Sequence, residues 1–170
     1  MEMTQAAQAI AAPKPAAHEL VLNRLLDAPP DTLYRLWTDP ARLKDWFCPR
    51  PWTVTQAELD VRPGGVCHFT MQGPNGEVVP NLGQYLEVVP GRKLVFTDAF
   101  TGGWIPKEGA PFMVATITFE PEGGKTRYIA TVRHWTEADM KKHEAMGYQQ
   151  GWNTVADQLE TLARTLQEDT

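Results

Sequence analysis

The chain has 170 residues, 42% hydrophobic and 22% charged, with a formal net charge of −5 and two cysteines. That length suits one domain with a sizeable core and is short for two. The acidic balance argues against nucleic acid or an anionic membrane as partner. No stretch approaches the ~20 apolar residues of a membrane span, and Cys48 and Cys67 lack C-x-x-C spacing, so a reduced, cytoplasmic setting is expected.

Residues 1–17, MEMTQAAQAIAAPKPAA, form an Ala/Gln/Pro arm. Glu2, Gln5 and Gln8 interrupt the apolar run that a signal peptide needs, so the arm reads as a flexible tail. A domain is expected over residues 18–167.

Glu19 to Asp27 alternates Leu20, Leu22 and Leu26 on one strand face. Pro29-Pro30-Asp31 ends that strand and starts a helix, with Asp31 expected to satisfy early amides. Leu33, Leu36 and Trp37 follow at helical spacing. Asp39-Pro40 opens a second short helix that carries Leu43, Trp46 and Phe47 inward, and Pro49 and Pro51 stop it.

A meander follows. Strands are expected at Thr53–Val61, Val66–Gln72, Glu77–Val89 and Lys93–Phe100. The turns between them are Arg62-Pro-Gly-Gly, Gly73-Pro-Asn-Gly and Pro90-Gly91, and Pro80 points to a sheet edge or a bulge. Thr101 to Pro111 is a longer loop. Phe112–Glu120 and Thr126–Trp135 make a last hairpin around Pro121-Glu-Gly-Gly. Thr136 with Asp139 has capping-box spacing, and Gly147 and Gly151 mark a break or a close approach.

The final block, His143 to Leu166, places Tyr148, Trp152, Val155, Leu159, Leu162 and Leu166 at steps of three and four. All six therefore share one face of a helix, which must lie across a sheet. The expected class is α+β: a curved antiparallel sheet of about six to seven strands wrapped around a long C-terminal helix, with two short helices after strand one.

The runs DPARLKDWF, RPGG-V-CHFTM-QGPNGE, G-QYLEVVPGRKLVFT, GKTRYIATV and MGYQQGW resemble bacterial proteins similar to the C-terminal domain of the activator of the heat-shock protein 90 ATPase. These belong to the START-like, or SRPBCC, helix-grip superfamily. The resemblance covers residues 18–167. It implies the helix-grip fold and leaves activity open, because that superfamily includes a co-chaperone domain, cyclases, lipid and hormone binders and oxygenase subunits.

Most catalytic chemistries find no residues to carry them. The sequence contains no serine, which removes Ser/His/Asp catalysis. Cys67 and His68 are strand neighbours and point to opposite faces, so they suit neither a dyad nor a shared metal. His143-Glu144 lacks the second helical histidine of a metalloprotease, and no glycine loop opens a helix as a phosphate site would. No metal or cofactor is expected, and no residue set identifies a reaction.

What remains is an aromatic-rich space between sheet and helix. Met113, Ala115, Ile117 and Phe119 share a face, as do Tyr128, Ala130, Val132 and His134. Candidate ligand contacts are Tyr85, Phe96, Asp98, Trp104, Phe112, His134 and Trp152, with His134, Asp98 or Tyr85 as acid–base groups if the site is cyclase-like. Trp104, flanked by Gly102 and Gly103, reads either as a gate over the cavity or as a patch on the core or a dimer contact. Two functions follow: a binder, carrier or sensor of a small hydrophobic or aromatic molecule, or a protein-interaction module like the co-chaperone domain. A homodimer or a chaperone stays open as partner.

Overall fold

The computed structural model of the protein describes residues 18–168. The arm assigned to residues 1–17 lies outside them. Seven strands form one antiparallel, curved sheet: β1 (Glu19–Leu26), β2 (Thr53–Leu59), β3 (Val66–Gln72), β4 (Val78–Val89), β5 (Lys93–Thr97), β6 (Val114–Glu122) and β7 (Lys125–Arg133). Their order across the sheet is β1-β7-β6-β5-β4-β3-β2. Four helices are α1 (Pro30–Thr38), α2 (Pro40–Leu43), α3 (Glu137–Ala145) and α4 (Tyr148–Glu168).

The alternation read along the last hairpin is met in the packing. Ala115, Ile117 and Phe119 on β6, and Tyr128, Ala130 and Val132 on β7, are at most 1% exposed. They face α4 and the α1–α2 pair. Register shifts between Val54 and Gln56 on β2 and between Tyr85 and Glu87 on β4 add local twist. Pro80 stands opposite Thr70 of β3, while pairing with β5 begins only at Gln84. Its missing N–H therefore falls where β4 has a neighbour on one side only.

The first-turn cap of α1 differs from expectation. Pro29 is the N-cap, no side chain accepts the first amides, and Asp31 lies inside the first turn, where its charge suits the helix dipole. Asp39 does cap α2, accepting the Ala41 N–H at 2.9 Å. Thr136 caps α3 by accepting the Asp139 N–H at 3.1 Å.

The long helix is seated by its small residues as much as its large ones. Leu159 and Ala163 are 0% exposed and Ala156 1%, while Trp152, Leu162 and Leu166 are only partly buried. The expected stripe of bulky residues is thus rotated: alanine at 156 and 163 lets the backbone approach the core. α4 runs beside the edge strand β1 and covers its free backbone groups. Gln149 donates to the Val21 carbonyl at 3.2 Å, and Glu160 accepts the Asp27 N–H at 2.6 Å. Arg24 of β1 pairs with Asp157 at 2.7 Å.

Candidate functional site

The N-terminal half of α4 overhangs the far strands of the sheet and leaves a cleft of about 430 Å³. Gly147, Gly151, Trp152 and Val155 form its helical wall. Phe69 and Met71 of β3, with Val79 and Asn81 of β4, form its sheet wall. Phe47 and Pro49, just after α2, close one side, and Phe112, Met113, His143 and Met146 close the other. The lining is almost wholly aromatic, aliphatic or thioether. Helix α2 can deliver Phe47 here because Gln158 of α4 donates to the Trp46 and Cys48 carbonyls, both at 2.8 Å.

Glycine at 151 creates part of the space. A Cβ added there would meet nothing nearer than the Pro49 ring at 4.0 Å. Gly147, at φ +94°, supplies the turn between α3 and α4 that a side chain would strain.

Of the seven expected contacts, Phe112 and Trp152 line the cleft. His134 lies behind it, 6% exposed, at 4.8 Å centroid separation from Phe112. Tyr85 and Phe96 pack in the core, 6.4 Å apart between centroids, away from the lining. Burial, with Cys67 alongside, pushes the Tyr85 phenol well above its ordinary range. The same burial pushes the Cys67 thiol up to about 12, so neither group is a ready proton donor or nucleophile at neutral pH.

Asp98 has a structural job. Strand β5 ends at Thr97, which frees Asp98 to accept the backbone N–H groups of Phe112 (2.9 Å) and Met113 (3.0 Å) and to pair with Lys107 at 3.1 Å. It thereby closes the loop and aims Phe112 at the cleft. Trp104 lies at another end of the same loop, 53% exposed, with its ring against Gly64 and 5.6 Å from Phe100. Its backbone N–H donates to the Oε1 atom of the buried Gln84 side chain at 2.7 Å, and its φ of +64° is sustained by that anchoring. It is not among the cleft-lining residues.

The residue that sequence reasoning passed over is His143. Its Nδ1 lies 3.0 Å from Nε2 of His134, whose Nδ1 lies 2.8 Å from the Phe112 carbonyl. Its ring also sits 5.1 Å from Phe112 and 5.2 Å from Tyr148. Burial first, and the neighbouring His134 second, lower the His143 pKa to about 4, so it is neutral at physiological pH. A histidine pair nine residues apart carries no motif, and only the turn between β7 and α3 brings the two rings together.

Solved structures share this architecture. A protein from Nitrosomonas europaea is 37% identical, with a TM-score of 0.86 over 91% of this chain and 99% of its own. A protein from Chromobacterium violaceum is 26% identical, with a TM-score of 0.66 over 84% of this chain and 97% of its own. The AHSA1 protein from Silicibacter pomeroyi, 24% identical with a TM-score of 0.65 over 89% and 99%, shares the fold. No curated protein matches the chain. A family model described as Activator of Hsp90 ATPase homolog 1-like protein matches residues 27–164, and the chain belongs to that family.

Proposed function

We propose that this protein binds a small hydrophobic or aromatic molecule in the cleft between α4 and the sheet, as a carrier, sensor or cyclase-like domain spanning residues 18–167. The observation that carries the reading is the cleft itself: about 430 Å³, walled by Phe47, Phe69, Phe112 and Trp152, with few polar groups. That volume falls within the range of small-molecule sites, and apolar walls with a few placed polar groups are their usual lining. Tyr85, Phe96, Asp98 and Trp104 act around this site through packing and loop closure, and Phe112, Trp152 and His134 act at it.

The test is a thermal-shift and calorimetric screen of naphthalene-type and acyl compounds on the wild type and on Gly151→Leu. The leucine side chain grows into the cleft from a helical position with room for a Cβ. Binding by the wild type and its loss in Gly151→Leu is the expected result. Equal binding by both, or none by either, overturns the reading.

The alternative, an interaction module that stimulates a heat-shock protein 90 ATPase, draws support from the family description. It predicts ATPase stimulation that Gly151→Leu leaves intact.

A further inference from the structure

The rings of His143, His134 and Phe112 form a chain whose proton order is set at its inner end. The Phe112 carbonyl can only accept, so Nδ1 of His134 carries a hydrogen. In neutral His134, Nε2 is then a bare lone pair and can only accept. Nδ1 of His143, 3.0 Å away, must therefore be the donor. Neutral His143 has one N–H, now spent on His134, so its Nε2 is an acceptor. No group among the described residues donates to that atom, and His143 is only partly buried. His143 lines the cleft.

We infer that Nε2 of His143 is the orienting acceptor of the cleft, and that the ligand is an aromatic or aliphatic molecule bearing one neutral O–H or N–H donor, such as a phenol or alcohol. This rests on the cleft being the binding site. The groups facing His143 agree with it. His134 comes from the segment after β7 and Tyr148 from α4, and Phe112 packs on the same ring. Tyr148 cannot offer its proton to the ligand, because its hydroxyl already donates toward the Ala130 and Leu20 carbonyls. No lysine or arginine lines the cleft, so a carboxylate would enter it without a cationic partner.

The probes are 2-naphthol, its methyl ether and 2-naphthoate, measured by calorimetry at pH 7. The ether keeps the ring and removes the donor. The expected result is that 2-naphthol binds wild type about 3- to 10-fold tighter than the ether, the span of one net hydrogen bond. Naphthoate should bind most weakly. In His143→Phe the naphthol and the ether should bind alike. Nitrogen NMR of the wild type gives a readout that packing alone would not move: Nδ1 protonated, Nε2 bare, and the Nε2 signal shifting on addition of naphthol but not of the ether.

Equal naphthol and ether affinity in wild type overturns the acceptor role and leaves the cleft as an apolar site. Tightest binding of naphthoate overturns it too, because it would mean a charged histidine pair. Loss of all three in Gly151→Leu shows that the contrast arises in the cleft, whereas no binding to wild type removes the cleft reading and this inference together.

Discussion

The Tyr148 hydroxyl donates to the Ala130 carbonyl at 2.9 Å, tying the first residue of the long helix to the middle of β7. A second carbonyl, of Leu20 on β1, lies 3.2 Å from the same oxygen. The helix is thus anchored across the seam between the two strands, at the point where the cleft begins. Tyr148→Phe keeps the ring and removes the bond. It should cost about 0.5–1.5 kcal/mol, because a buried bond is lost while the carbonyls retain their strand neighbours. Denaturant unfolding measures this, and an unchanged midpoint would mean that the hydroxyl holds nothing.

Further along the same helix, Leu159 is 0% exposed and meets the core shared by α1 and the sheet. Leu159→Ala should destabilise the protein by about 2–5 kcal/mol, the cost of lost transfer energy plus a cavity. A loss under about 1 kcal/mol would show that α4 is not docked on this face.

How far the sequence could reach is visible in particular residues. The Gly73–Gly76 turn and the alternation on β6 and β7 are local signals, and both are read correctly from neighbours in the chain. The seam between β1 and β7 joins Glu19 to Arg133, and no local pattern reports such a pairing. It decides where α4 lies, so the burial of Ala156 and Ala163 was equally out of reach. Asp98 shows the same limit. Continuing the alternation of β5 past Thr97 points Asp98 inward, but the strand ends and the carboxylate turns to the loop amides. Of the seven candidate contacts, Trp152 lines the cleft from the stripe that helical spacing marks, whereas Phe112 lines it from the loop before β6, where Asp98 holds its backbone N–H. The histidine chain needed the three-dimensional turn.

Gly151 separates ligand space from stability. It sits in the interior of α4 with no positive φ, where glycine is costly relative to alanine. Gly151→Ala should therefore raise stability by about 0.5–1 kcal/mol. The nearest atom to the new methyl would be the Pro49 ring carbon at 4.0 Å, an ordinary contact. A destabilised Gly151→Ala in thermal unfolding would mean that the helix approaches its neighbours more closely than this.

His143 should leave a signature in the acid dependence of stability. Its folded pKa is about 4 against an ordinary 6.5. Between those values the unfolded chain takes up a proton that the folded chain refuses. Stability from this group is therefore complete above about pH 6.5 and is lost as pH falls toward 4. At full strength the difference would be about 3 kcal/mol. The ring is only half-buried, so screening reduces it to about 1–2 kcal/mol. The measurement is the unfolding free energy of wild type and His143→Phe from pH 7.5 to 4.5, taken as a difference so that carboxylates and the remote His18 and His68 cancel, while the bonded His134 counts with the pair. The variant should lose less stability than wild type on acidification. Parallel curves would mean that His143 titrates as it does in the unfolded chain, and that burial beside His134 does not hold it neutral.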